Sequence, residues 1–271
     1  MSRIAHMFAR LKAEDQSGFI AYIVAGDPTL EITRALVPEL ERRGVDLIEL
    51  GVPFSDPMAD GIAIQEGAQR ALRNNVSLED ILNLVEEIRA ETQIPLVFMT
   101  YFNPVYRYGL QRFADRAKAV GVDGVLAVDL PPEEAVEYKQ MMDGRGLDTI
   151  FLVAPTSRDD RIRLISSCTT GFVYYVSSMG VTGERERLAD TIGSKVKQIR
   201  THTSNPVAVG FGISRPDQVR EVAGYADAVV VGSAIVRRVG AHEGEPDLVS
   251  KVGAFVETLV QPLREGVHGS G

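Results

Sequence analysis

The chain carries a single cysteine, Cys168, in 271 residues. An intramolecular disulfide is therefore impossible, and a structural zinc site built on several cysteines is excluded. Long apolar runs are also missing. No stretch approaches the roughly 18 apolar residues of a membrane-crossing helix, and the amphipathic opening from Met1 to Lys12 lacks the apolar core and small-residue cleavage site of a secretory signal. Positive charge is in short supply: 29 Lys and Arg stand against 37 Asp and Glu, for a net charge of -8, and no basic stripe offers a track for a nucleic acid backbone. These absences predict an unprocessed cytoplasmic protein with neither membrane nor nucleic acid as partner.

What is present is an ordinary globular composition, 45% hydrophobic and 24% charged. Short apolar segments recur at Phe19 to Val24, Leu47 to Leu50, Pro95 to Thr100, Gly124 to Val128, Thr149 to Val153, Phe172 to Val176, Val207 to Gly210 and Ala228 to Val231. Between them lie stretches with helical spacing, such as Leu30 to Arg43 (Ile32, Leu36, Leu40) and Leu78 to Ala90 (Ile81, Leu84, Val85, Ile88). Eight alternations of near-continuous apolar strands with helices predict a parallel sheet covered on both faces and closed into a single α/β (β/α)8 TIM barrel. One domain is expected over residues 1–271, with 268–271 as a flexible tail. Gly44 and Gly121 mark helix ends, while Ser77 with Asp80, and Ser214 with Asp217, read as capping pairs. An extra N-terminal helix, with Ile4, Met7, Phe8 and Leu11 on one side, is placed to cover the N-terminal mouth of the barrel.

In such a barrel the active site lies at the C-terminal ends of the strands, and phosphate often sits in the last loops. Gly210-Phe211-Gly212-Ile213-Ser214 follows the seventh segment, Gly232-Ser233-Ala234 the eighth, and Gly183 lies beyond the sixth. Each glycine alone permits nothing more than a tight turn, but together they suggest a backbone cradle for the phosphate of a small metabolite. Glu49 ends the second segment, and Asp56 and Asp60 follow it. A carboxyl among apolar barrel side chains has its charged form disfavoured, which suits it to acid–base work near neutral pH. The alternatives are a buried pair between Glu49 and an arginine, and a turn-capping role for Asp60 ahead of Gly61. All six lysines fall in helices or loops, which leaves no Schiff-base nucleophile, and His6, His202, His242 and His268 stand away from strand ends, which leaves no metal cluster. Cys168 has an apolar neighbourhood and is expected to be an inert packed residue.

The stretch Glu49-Leu50-Gly51-Val52-Pro53-Phe54-Ser55-Asp56-Pro57-Met58-Ala59-Asp60-Gly61 resembles the signature of the tryptophan synthase alpha subunit family. Ala25-Gly26-Asp27-Pro28, Tyr101-Phe102-Asn103-Pro104, Asp129-Leu130-Pro131, Gly180-Val181-Thr182-Gly183, the Gly210 segment and Gly232-Ser233-Ala234-Ile235-Val236 match in order over nearly the whole chain. The resemblance implies a lyase that cleaves indole-3-glycerol phosphate, with Glu49 moving a proton between the glycerol hydroxyl and indole C3 and Asp60 accepting from the indole nitrogen. It implies that Gly183, Gly212, Gly232 and Ser233 hold the phosphate, and that Tyr22, Tyr101, Tyr174 and Phe211 line the indole pocket, where ordinary aromatic packing is the alternative. Tyr22 and Val24 depart from the Phe and Thr common in the family. The segment from Ser177 to Ile192, with its charged run Glu184 to Arg187, is implied to be a closing lid. Pro53, Asp56, Pro57, Asn103, Asp129 and Pro131 are implied to meet a beta subunit in an alpha2-beta2 assembly. Pyridoxal phosphate belongs to that partner, and no cofactor or metal is expected in this chain. A stand-alone lyase that releases free indole, and a module that mainly activates the beta subunit, remain open on sequence.

Overall fold

The computed structural model describes residues 2–177, 185–210 and 212–265. The expectations for Gly183, Phe211, most of the proposed lid and the tail at 268–271 lie outside these residues. The described chain opens with α1 (Arg3–Ala13), β1 (Gly18–Val24), α2 (Leu30–Arg42), β2 (Leu47–Gly51), α3 (Ile62–Leu72), α4 (Leu78–Ile88) and β3 (Leu96–Thr100). It continues through α5 (Phe102–Tyr108), α6 (Leu110–Val120), β4 (Gly124–Ala127), α7 (Val136–Asp143), β5 (Asp148–Thr149), β6 (Leu152–Val153), α8 (Asp159–Cys168) and β7 (Val173–Val176). The last elements are α9 (Arg185–Arg200), β8 (Val207–Gly210), α10 (Pro216–Ala223), β9 (Ala228–Val231), α11 (Ser233–Ala241) and α12 (Leu248–Arg264).

All strand pairings are parallel, in the order β5-β4-β3-β2-β1-β9-β8-β7-β6. The fifth apolar segment is not one strand but two short pieces, and this break is where the barrel closes. β5 pairs with β4 and β6 with β7, while the residues between them continue both ladders: Ile150 N–H donates to Val125 O (3.1 Å) and Tyr174 N–H to Phe151 O (3.3 Å). Eight strand positions thus form a TIM barrel.

Alternate strand residues face inward or outward. Ile20, Leu47, Val97, Leu126, Ile150, Phe172, Ala208 and Ala228 fill the interior, while Phe19, Ala21 and Ile23 on β1 pack outward beneath the helices. Helix α1 adds Ile4, Met7, Phe8 and Leu11 to the interior cluster and so plugs the N-terminal mouth as expected. Each side chain so buried contributes about 1.5–3 kcal/mol. Its first turn is capped by Ser2, whose Oγ accepts from Ala5 N–H.

Ser77 and Asp80 form the expected capping box on α4. Ser214 and Asp217 do not pair; Gln218 Oε1 accepts from the backbone N–H groups of Ser214 (2.9 Å) and Arg215 (3.1 Å), because α10 starts one residue later than the sequence pattern suggests. Residues 185–192 of the expected lid belong to α9. Cys168 ends α8, half-buried against the main core.

Candidate active site

Glu49 occupies the inward parity of β2, two residues after Leu47 in the interior cluster. It is 0% exposed, and neither carboxyl oxygen has a hydrogen-bond partner among the described residues. The expected alternative, a buried pair with arginine, is therefore not found. Burial without compensation pushes its proton affinity from 4.5 up to about 8. Its register neighbours are Tyr22 on β1 and Val97 on β3.

Asp60 reaches the same region from the loop between β2 and α3. Tyr101, the residue before α5, anchors that loop: its hydroxyl accepts from Ala59 N–H (2.9 Å) and donates to the Asp60 carboxylate. Burial pushes the Asp60 carboxyl up and the Tyr101 hydrogen bond opposes that rise. The Phe54 ring stacks 5.0 Å from Tyr101 and stiffens the same loop. Asp60 does not cap α3: its side chain makes no cap bond, Gly61 occupies the N-cap, and only the backbone carbonyl of Asp60 accepts from Gln65.

Two tyrosines form the floor. The Tyr22 ring lies over Gly51 of the next strand, where an added Cβ would fall 2.1 Å from the hydroxyl. The Tyr174 ring lies likewise over Gly210, with its hydroxyl 2.6 Å from such a Cβ. Each bulky ring thus needs a glycine on the adjacent strand. Above them opens a cavity of about 220 Å³, lined by Tyr22, Asp60 and Tyr174 together with Gly212, Gly232 and Ser233. Tyr101 stands behind Asp60 and is not part of this wall.

Sequence reasoning missed the apolar wall made by Ile64, Met99, Leu152 and Val230. The inward parity of Met99, Leu152 and Val230 at strand ends was the available signal; Ile64 sits on α3, whose approach to the mouth is a tertiary matter.

The phosphate candidates converge at the start of α11. Gly232 is its N-cap and Ser233 its first residue; Ile235 N–H donates back to Gly232 O (2.8 Å), which leaves the Ser233 and Ala234 N–H groups without a partner inside the helix, the arrangement that suits a helix start to an anion. Gly212 has φ +72°, a left-handed conformation that a side chain would strain. This corner is locked by a buried ion pair: Arg70 on α3 grips Asp27 with Nε (2.6 Å) and Nη2 (2.8 Å), and Nη2 also donates to Val236 O on α11 (3.3 Å). The pair ties the Asp60 side of the site to the helix at the phosphate end.

Around this mouth Asp56, Asn103 and Asp129 are exposed, Pro57 and Pro131 are half-buried, and Pro53 is buried beneath them. Asp129 Oδ1 accepts from Phe102 N–H at 2.7 Å, so it also braces α5. The large exposed apolar residues gather here too: Met58 (90%), Ile62 (77%), Tyr106 (69%) and Val136 (63%) follow strands β2, β3 and β4. Composition counts could not have separated these four from core residues. Among the described residues no group of three or more His, Cys, Asp and Glu could hold a metal ion, and no helix is long and apolar enough to cross a membrane.

The profile of the tryptophan synthase alpha chain family matches residues 8–264. The tryptophan synthase alpha chain of Geotalea uraniireducens is 52% identical over 259 residues, covering 96% of this chain and 97% of the relative. The crystal structure of tryptophan synthase subunit alpha from Legionella pneumophila superposes with a TM-score of 0.91 at 35% identity, covering 98% of this chain and 100% of that one. A chain of the tryptophan synthase a2b2 complex from Pyrococcus furiosus superposes with a TM-score of 0.84 at 41% identity, covering 91% and 98%. A closed barrel with an unpaired carboxyl under its C-terminal mouth and near-complete likeness in sequence and structure lead to one assignment: the chain belongs to the tryptophan synthase alpha chain family.

Proposed function

We propose that this chain cleaves indole-3-glycerol phosphate into indole and glyceraldehyde 3-phosphate, with Glu49 as the acid–base group. The observation that carries this reading is the Glu49 carboxyl, fully buried at the end of β2, without a counter-ion among the described residues, and with its proton held up to about pH 8. At neutral pH it is a protonated acid. It delivers that proton to indole C3, which turns the ring into an electron sink. The resulting carboxylate takes the proton of the glycerol hydroxyl, the carbon–carbon bond breaks, its electrons return to the ring, and the side chain ends as it began. Because the protonated indole accepts the electrons, the step requires neither a lysine imine nor a cofactor in this chain.

Asp60, held by Tyr101, receives the indole N–H as positive charge builds on the ring. Tyr22 and Tyr174 enclose the indole, and Gly212, Gly232 and Ser233 hold the phosphate at the start of α11. Gly183 and Phe211 complete these two groups in our reading.

The rim supports a second part of the proposal. Asp56, Pro57, Asn103, Asp129 and Pro131, with Met58, Ile62, Tyr106 and Val136, form a surface for a pyridoxal-phosphate-dependent beta subunit in an alpha2-beta2 assembly. Four large apolar side chains exposed on one rim are what such an interface needs. Docking there retains indole, which is apolar and otherwise diffuses away. The reaction takes place in the cytoplasm. Indole release from indole-3-glycerol phosphate, measured with and without a beta subunit, tests the whole reading. Full turnover in Glu49→Gln removes the acid–base role, and full turnover without stimulation by a beta subunit makes this a stand-alone lyase.

A further inference from the structure

Once Glu49 has given up its proton, a carboxylate sits in a buried site with no cation beside it among the described residues. Tyr22 and Glu49 are register partners on adjacent parallel strands, so both side chains leave the sheet into the barrel. The Tyr22 hydroxyl lies over Gly51, two residues further along Glu49's own strand, in a space open only because residue 51 has no side chain. That hydroxyl makes no hydrogen bond to any described residue, and Tyr22 borders the cavity. A Glu49 side chain extended toward the mouth meets it there.

The polar groups facing this point are few. Tyr22 comes from β1, Tyr174 from β7, Asp60 and Tyr101 from the loops after β2 and β3, and Asp27 from the loop after β1. None is a cation, Tyr101 is already engaged with Ala59 and Asp60, and Tyr174, which also lies within electrostatic reach of Glu49, has its hydroxyl laid over Gly210 on β8.

We propose that Tyr22 is a positioning residue for Glu49, its hydroxyl donating a hydrogen bond to the Glu49 carboxylate that forms when the proton has gone to substrate. Burial, with the nearby Asp60 and Glu49 carboxyls, keeps the Tyr22 hydroxyl protonated well above its ordinary range, so it serves as a donor throughout. A donor to the ionised form lowers the proton affinity of the acid, and without it Glu49 holds its proton more tightly.

The catalytic consequence rests on Glu49 being the acid–base group, but the test does not. The infrared carboxyl band of the intact protein that is absent in Glu49→Gln is followed against pH, alongside the pH profile of indole release. Tyr22→Phe is expected to move the Glu49 midpoint up by about one pH unit, the scale of a hydrogen bond to a charged group. The alkaline limb of kcat/KM should move with it, and Tyr174→Phe should move the midpoint by less than half as much. 3-Fluorotyrosine at position 22, a stronger donor of the same shape, should move it down, which keeps the test decisive if the Phe variant folds poorly. An unmoved midpoint in both Tyr22 variants, or a larger shift in Tyr174→Phe, overturns the proposal. Full turnover in Glu49→Gln with the infrared shift intact would instead remove the lyase assignment of Glu49 and leave the hydrogen bond standing.

Discussion

Asp46 and Asp123 at the N-terminal mouth of the barrel and Glu49 under the C-terminal mouth are buried carboxyls held in opposite ways. At the N-terminal end, Asp46 accepts from Arg10 Nη2 (2.6 Å), Arg264 Nη2 (2.5 Å) and Phe19 N–H (2.9 Å). Asp123 accepts from Arg3 Nη1 (3.0 Å), Arg89 Nη2 (2.8 Å) and Leu96 N–H (2.9 Å). Three residues along from Asp46, which precedes β2, Glu49 is at least as buried and has no hydrogen-bond partner among the described residues. Paired carboxylates fasten α1, α4, α12 and the strand starts together; the lone one stays protonated and reactive. The plugged end is built for stability, and the open end keeps a destabilised acid.

The largest expected effect is at the open end. Glu49→Gln should lower kcat for indole release by roughly 10²–10⁴-fold. The same change should stabilise the fold in alkaline solution. In the folded protein Glu49 binds its proton up to about pH 8, against 4.5 as the ordinary value, so the folded state holds more protons and loses stability as pH rises between those values. The loss is on the order of 5 kcal/mol by pH 9, from about 1.4 kcal/mol per unit. The thermal midpoint of Glu49→Gln should exceed that of the parent above pH 8 and match it near pH 4, and a constant difference across that range would contradict a buried, unpaired acid.

At the plugged end the reverse should hold. Asp123→Ala strands Arg89, which is nearly buried, and should cost about 3–5 kcal/mol in urea unfolding while kcat stays within a few-fold of the parent. If kcat falls as far as it does in Glu49→Gln, the division of labour between the mouths is wrong. Leu11→Ala, in a side chain 1% exposed within the plug, should cost about 2–4 kcal/mol, again with kcat preserved. Smallest is Tyr101→Phe, which removes the hydroxyl shared by Ala59 and Asp60. It should cost roughly 1–2 kcal/mol of transition-state stabilisation, read as a several-fold to about thirtyfold fall in kcat/KM with little change in unfolding.

The strand and helix pattern was legible because strands buried on both faces read as apolar runs and helices as three-and-four spacing; Phe19 to Val24 and Leu30 to Arg42 fall where that physics puts them. The fifth strand was misjudged because apolar periodicity does not record which neighbour each residue bonds. The Ser214 cap was misjudged because Gln218 reaches the same N–H groups from one position further along. In the site, Glu49 stood out as an ionisable residue in an apolar strand. Asp60 did not, since its surroundings depend on Tyr101, 41 residues away.

By itself the sequence determined the alternation of elements, the plug helix, the glycines that tyrosine rings and a helix start require, and the presence of a carboxyl at the end of β2. Only the tertiary structure decided that Asp46 and Asp123 would find arginines and Glu49 would not. Residue type and strand position are local properties, whereas a charge partner is supplied by whichever element packs opposite: α1, the residue ending α4 and α12 bring arginines to Asp46 and Asp123, α3 brings Arg70 to Asp27, and β1 and β7 bring tyrosine rings to the side of Glu49.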